Sequence, residues 1–297
     1  MQVFTLYDEF LSEKKIQLVS PRTLDFYHDS VYCFLRWSCQ QEGFNLVEVE
    51  ALQRWAKRYL LSLVERPLSP YTIHTYGRGI RTFLKWVLAE GYIAGPLTFR
   101  CPPKPDKDIR PLSLGDARGM LQALGSDATL VGLRNQVILR TFVDTGIRLS
   151  ELVNMTLRDL DLAGRSIRVK GKGNKVRFVY LSLGTVKPLR GYLAQRRDLV
   201  GTAHDRVWIA QRGDPIGPSS VQSVLKRLKK RICFEGKLSP HVLRHTYAVL
   251  YLENGGDTLS LKELLGHEDL ETTAEYVTFS RSQTKQLAMR YSPGRTL

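Results

Sequence analysis

Between Ser239 and Tyr276 the chain reads SPHVLRHTYAVLYLENGGDTLSLKELLGHEDLETTAEY. Within it an imidazole (His241), a guanidinium (Arg244), a second imidazole (His267) and a phenol (Tyr276) fall on short, well-punctuated segments. Ser239 is a good N-cap and Pro240 suits the first helical position, so a helix begins here. His241 and Arg244 are then three residues apart and share a face. A second helix over 259–265 runs into Gly266-His267, a break suited to a helix C-terminus. Asp269 can cap a third short helix that carries Tyr276. An arginine beside histidines reads as a phosphate clamp, and a phenol nearby is a candidate nucleophile.

Breaking a phosphodiester places extra negative charge on the phosphate oxygens in the transition state. Two planar guanidinium forks suit those oxygens, and Arg148 and Arg244 are the candidates. A phenol with a pKa near 10 is only about one part in a thousand ionised at neutral pH. A positive pocket and an imidazole that takes the proton would make it competent. The leaving oxygen needs a proton in turn. Lys172, between Gly171 and Gly173, fits that task, with Lys170 and Lys175 as alternatives. Glu151, three residues after Arg148, is read as holding an active-site arginine or histidine in place. His241 and His245 are four apart, as in a zinc-binding H-E-x-x-H helix, but Val242 occupies the glutamate position and no cysteine cluster supplies further ligands. GxxxxGK[ST] is absent, which argues against a Walker loop.

HVLRH, LLGHEDLETTAEY with nine residues from His267 to Tyr276, TGIRLSEL around Arg148 and Glu151, and GKGNK around Lys172 stand in this order in the chain. Together they resemble the boxes of the tyrosine recombinases, the phage integrase family, with Xer-like enzymes and small transposon or phage integrases as the nearest kinds. The resemblance covers most of the second half of the chain. It implies that Tyr276 forms a 3′-phosphotyrosyl link, that His241 serves as general base or phosphate ligand, and that His267 hydrogen-bonds the phosphate. It further implies site-specific cleavage and rejoining of duplex DNA through a Holliday junction, by a homotetramer on two sites, with no cofactor, metal or ATP. Chromosome segregation, phage integration and transposition all remain open as roles. A type IB topoisomerase and a non-catalytic DNA-binding regulator are the competing readings.

The elements that must position these groups follow from composition and periodicity. With 297 residues and 43% hydrophobic content, the chain is long enough for two folded domains. A net charge of +15 points to a polyanion partner. Four cysteines without CxxC pairs are expected to be reduced thiols, and MQVFTLYDEFLSEKK lacks the apolar stretch of a signal peptide. No apolar run approaches a membrane span, so a cytoplasmic protein is expected.

Residues up to about 100 read as helices. Ser20-Pro21 and Ser69-Pro70 open two of them, the first carrying a stripe of Leu24, Tyr27, Val31, Phe34 and Leu35. Basic and aromatic residues interleave here, and Arg54, Arg78 and Arg81 are candidate DNA contacts. Prolines between Cys101 and Pro111 mark a linker. The expected architecture is mainly α with a small β-sheet. By resemblance it is a two-domain clamp: a helical SAM-like core-binding domain over 1–103, a linker over 104–111, and a mixed α+β catalytic domain with a C-terminal tail over 112–297. In the second domain SIRVK and VRFVYLS alternate as strands of a hairpin joined through GKGN. A helix is expected over 186–199, and RVWIA reads as one more short strand. A very basic helix over 219–232 adds Lys226 and Lys229 as candidate DNA contacts, beside Lys170 and Lys175.

Overall fold

A computed structural model describes residues 3–44, 49–105, 110–125, 127–171 and 174–266. The chain divides into two compact units, Met1–Lys107 and Asp108–Leu297.

In the first unit, helices α1 (Val3–Ile16), α2 (Pro21–Tyr27), α3 (Cys33–Ser38), α4 (Val49–Val64) and α5 (Pro70–Ala89) enclose one core. The two Ser-Pro starts use the same capping chemistry. Ser20 Oγ accepts from the Thr23 amide and Ser69 Oγ from the Thr72 amide, with proline in the first helical turn. Phe10 is fully buried and meets Tyr27, Phe83 and Trp86 edge-on. The stripe predicted on the second helix holds only in part. Val31, Phe34 and Leu35 are buried, whereas Leu24 and Tyr27 are half-buried. A π-helical turn over His28–Tyr32 separates α2 from α3. Its wider winding slips the apolar face relative to a strict 3.6-residue period. Trp55 and Tyr59, interleaved with basic residues in the sequence, belong to the core, while Arg54, Arg78 and Arg81 are exposed on α4 and α5.

The second unit is built around helix α7 (Leu130–Thr145), which packs against α9 (Leu183–Val200) and α11 (Pro240–Glu253). Helix α6 (Leu114–Leu124) opens with a capping box between Ser113 and Asp116. Helix α8 (Leu149–Asn154) leads into a three-stranded antiparallel sheet of β1 (Leu160–Asp161), β2 (Ser166–Lys170) and β3 (Val176–Tyr180), in that spatial order. Ser166 pairs with Tyr180 and Lys170 with Val176, so the predicted hairpin forms. Helices α10 (Pro218–Arg231) and α12 (Thr258–Leu265) complete the described part.

Two expectations need correction. Helix α9 starts at Leu183, three residues before the predicted position, because Ser182 supplies an extended cap residue there. RVWIA is not a strand. Only the isolated bridges Thr156 to Arg206 and Ile209 to Pro215 form. Its backbone is satisfied partly by scattered main-chain bonds, such as the Val207 amide to the Met155 carbonyl (3.0 Å) and the Ile216 amide to the Trp208 carbonyl (3.1 Å), and partly by side chains. Arg134 donates to the Ile209 carbonyl (2.7 Å), the Tyr192 hydroxyl to the Val207 carbonyl (2.9 Å) and Arg196 Nε to the Arg206 carbonyl (2.8 Å). Val207, Trp208 and Ile209 are buried all the same, which is why the stretch reads as apolar. Among the described residues no helix is long and apolar enough to cross a membrane.

Candidate active site

The site lies where the ends of α7, α8, α11 and α12 meet strand β3. Thr145 ends α7 and Gly146 caps it in the left-handed region (φ 58°). A Cβ at Gly146 would stand 2.5 Å from the Tyr247 ring and 2.9 Å from Leu265, so glycine is required twice over. This tight turn delivers Arg148 to the N-cap position of α8. Glu151, in the first turn, accepts from the Arg148 amide (2.9 Å) and from Arg148 Nη1 (2.9 Å). Arg244 sits on α11, whose cap is Ser239 with Pro240 first in the helix. His241 is exposed one turn before it, while Arg244 is 5% exposed.

The arginines converge on the C-terminal end of α12. The last carbonyls of a helix lack partners within it and carry the negative end of its dipole. Arg177 Nε donates to the Leu264 carbonyl (2.8 Å), Arg244 Nη2 to the Leu265 carbonyl (2.8 Å) and Arg148 Nη2 to the Gly266 carbonyl (2.9 Å). Three guanidinium groups from β3, α11 and α8 thus take three consecutive carbonyls. Arg244 Nη1 also donates to the Gly146 carbonyl (2.8 Å), which ties the α7 cap into the same cluster. Gly266 caps α12 with φ 65°, and a Cβ there would lie 3.1 Å from the Arg177 guanidinium.

Glu151 is the carboxylate at the centre, its side chain 4% exposed. Arg177 grips it through both oxygens, Nη1 to Oε1 and Nη2 to Oε2, each at 2.8 Å. Burial pushes the Glu151 pKa up, but the bonds from Arg177 and Arg148 outweigh it and hold the carboxyl below its ordinary value. A cleft of about 650 Å³ opens alongside, lined among others by Arg148, Glu151, Arg158, Arg168 and Lys170.

Of the predicted residues, the structure brings Arg148, Glu151 and Arg244 together, with His241 on the first turn of the Arg244 helix. Lys172, His267 and Tyr276 lie outside the described residues, as does the helix expected after Asp269. The Gly171 amide donates to the Lys175 carbonyl (2.8 Å) where β2 and β3 come together. Lys170, at the end of β2, and Lys175, just before β3, are exposed, and on α10 Lys226 is exposed and Lys229 half-buried. Two other tyrosines on α11 are packing groups. Burial pushes the Tyr247 phenol up to about 12, the wrong direction for a nucleophile, and the Tyr251 hydroxyl lies 2.8 Å from Ser260 Oγ. Among the described residues no three His, Cys, Asp or Glu side chains are grouped to hold a metal ion. Arg177 is the residue that motif reasoning missed. The signal for it was its parity: in VRFVY, Val176, Phe178 and Tyr180 are exposed, while Arg177 shares the inward face with buried Val179.

Residues 116–282 match the phage integrase family. Over 286 residues the chain is 32% identical to the tyrosine recombinase XerC of Staphylococcus haemolyticus (strain JCSC1435), covering 96% of this chain and 95% of that one. Its fold is similar to that of XerA recombinase (26% identity, TM-score 0.55, 98% of this chain and 99% of that one). It is also similar to the Tn1549 transposon integrase solved with circular intermediate DNA (20% identity, TM-score 0.78, 98% and 100% covered). Fold and relatives define the class, a tyrosine-type site-specific recombinase, which breaks and rejoins DNA strands. The chain belongs to the phage integrase family.

Proposed function

We propose that this chain binds duplex DNA at a specific recombination site and cuts one strand with Tyr276. In this reading the Tyr276 oxygen bonds to the scissile phosphorus and displaces the 5′ oxygen, leaving a 3′-phosphotyrosyl link. Arg148 and Arg244 hold the non-bridging oxygens and offset the charge that builds on them. His241 takes the phenol proton, His267 hydrogen-bonds the phosphate, and Lys172 protonates the departing 5′ oxygen. Attack by the free 5′ hydroxyl of a partner strand reverses the step on a new strand and regenerates the phenol. The bond energy is kept in the phosphotyrosine throughout.

The observation that carries this reading is the convergence of Arg148 and Arg244 on adjacent carbonyls of α12, directly before His267. Two guanidiniums fixed on adjacent carbonyls, with Arg148 lining the cleft, suit a phosphodiester better than a neutral ligand. We extend the reading to residues 1–103 as a helical domain that closes over DNA, with Arg54, Arg78 and Arg81 meeting phosphates. Lys170, Lys175, Lys226 and Lys229 do the same from residues 112–297. Four copies would assemble on two sites, in the cytoplasm. The net charge of +15 supports a phosphate-rich partner.

The test is covalent trapping on a nicked duplex whose short cleaved fragment diffuses away. Wild type is expected to give a DNA-linked species that survives denaturation, and Tyr276→Phe none. An adduct with the phenylalanine variant, or none with wild type on any site it binds, would refute the assignment.

A further inference from the structure

Arg177 belongs to none of the positions given a role above, yet each of its three guanidinium nitrogens makes a bond: two to Glu151 and one to the Leu264 carbonyl. Its side chain is 12% exposed. It stands two residues after Lys175, whose carbonyl accepts from the Gly171 amide. One planar group therefore joins the hairpin to the carboxylate that grips Arg148 and to the helix end that Arg148 and Arg244 both hold.

We propose that Arg177 is a positioning residue for strand cleavage: it fixes Arg148 through Glu151, and it locks the end of α12 against the hairpin. The inference rests on the assignment of Tyr276 as nucleophile and Arg148 as phosphate ligand. An arginine is needed because a lysine carries its three N–H donors on one nitrogen and lacks the planar fork that reaches both carboxylate oxygens and a carbonyl at once. A purely structural role would predict an equal loss of activity at every pH. A positioning role predicts otherwise. Glu151 is faced by Arg148 from its own helix and by Arg177 from β3, and Lys170 at the end of β2 lines the same cleft. With the fork gone, burial raises the affinity of Glu151 for a proton, and protonation releases Arg148.

The experiment measures single-turnover adduct formation on a nicked duplex bearing a site selected from random-sequence DNA by the full-length chain. Arg177→Lys is expected to slow the step about 10²-fold at saturating DNA, with DNA affinity changed less than twofold. The deficit should deepen as pH falls from 8 to 6, and adding Glu151→Gln should abolish that pH dependence. The two changes together should cost no more than the larger one alone. Full additivity, a deficit equal at all pH values, or a loss explained by weaker DNA binding would overturn the inference. Glu151→Gln alone, which leaves Arg177 in place, is the second probe should Arg177→Lys fold poorly; a rate equal to wild type would overturn it as well. A wild-type chain that forms no adduct overturns the cleavage assignment and this inference with it. A wild type that reacts while Arg177→Lys reacts equally well overturns this inference alone.

Discussion

Glu151→Gln replaces one carboxylate oxygen by an amide NH2 at a point where four N–H donors converge. Arg148 contributes its amide and Nη1, and Arg177 contributes Nη1 and Nη2. The amide can accept at one oxygen only, so two of the four bonds are lost and two donors face a donor. A hydrogen bond to a charged group contributes about 1.5–3 kcal/mol, which gives roughly 3–6 kcal/mol for two. The Arg148 side chain is 38% exposed and can turn to water, which lowers the figure. Arg177 is 12% exposed and cannot do so as readily, so about 3 kcal/mol is the expected loss. Amide hydrogen exchange of peptides covering α8 and β3, read by mass spectrometry on the full chain, reports the opening energy of this region directly. The difference also has a defined pH dependence. The folded-state pKa of Glu151 lies below its unfolded value. The carboxylate therefore stabilises the fold fully above the unfolded value, about 4.3, and this stabilisation disappears as pH falls through the folded value. Wild type and variant should converge as pH is lowered from 5 towards 3. A loss under 1 kcal/mol at pH 7, or a gap that widens on acidification, would refute the reasoning.

Gly146→Ala forces a Cβ into the left-handed region, about 1–2 kcal/mol, and against Tyr247 and Leu265, a further 1–3 kcal/mol or so. Urea unfolding should show a loss of at least 2 kcal/mol or thereabouts from these terms, and a change near zero would show that the turn relaxes freely. Thr246→Val removes the buried hydroxyl that accepts from the Leu112 amide (2.8 Å). Leaving that amide unpaired should cost about 1–3 kcal/mol in the same assay, with no effect expected if the Leu112 segment re-pairs with water.

Much of the scaffold was legible because it is written in local chemistry. Ser20, Ser69, Ser113 and Ser239 each accept from a backbone amide at a helix start, and glycine ends α7 and α12. The hairpin declared itself by alternation. What was misread depends on partners distant in sequence. RVWIA has the composition of a strand, but three of its carbonyls are taken by side chains on α7 and α9 rather than by a strand ladder, which no local pattern reveals. Strand β1 is two residues long, too short to show a period. At the site, the motifs identified Arg148, Glu151 and Arg244. Glu151 was read as a residue that holds an arginine or histidine in place, but the carbonyl anchors were not indicated, because Arg148 and Arg177 reach carbonyls 118 and 87 positions away. A guanidinium bonded to a main-chain carbonyl leaves no mark on the residue type at the accepting position.

That choice of acceptor bears on the chemistry. A site for a phosphodiester must hold its cations still without neutralising them, since a carboxylate bound to each arginine would compete with the phosphate for the same N–H groups. Main-chain carbonyls at a helix C-terminus meet that need. They are strong acceptors, they carry only the partial charge of the helix dipole, and a cation beside them is favoured by about 0.3–1 kcal/mol. Arg244, the most deeply buried of the three, is held through both Nη atoms by carbonyls, those of Gly146 and Leu265. Glu151, the carboxylate within the cluster, is shared between Arg148 and Arg177, so its single negative charge is divided across two cations. The end of α12 thus orients the guanidiniums while sparing their charge, so in the proposed reading one short helix sets the geometry of the two phosphate ligands.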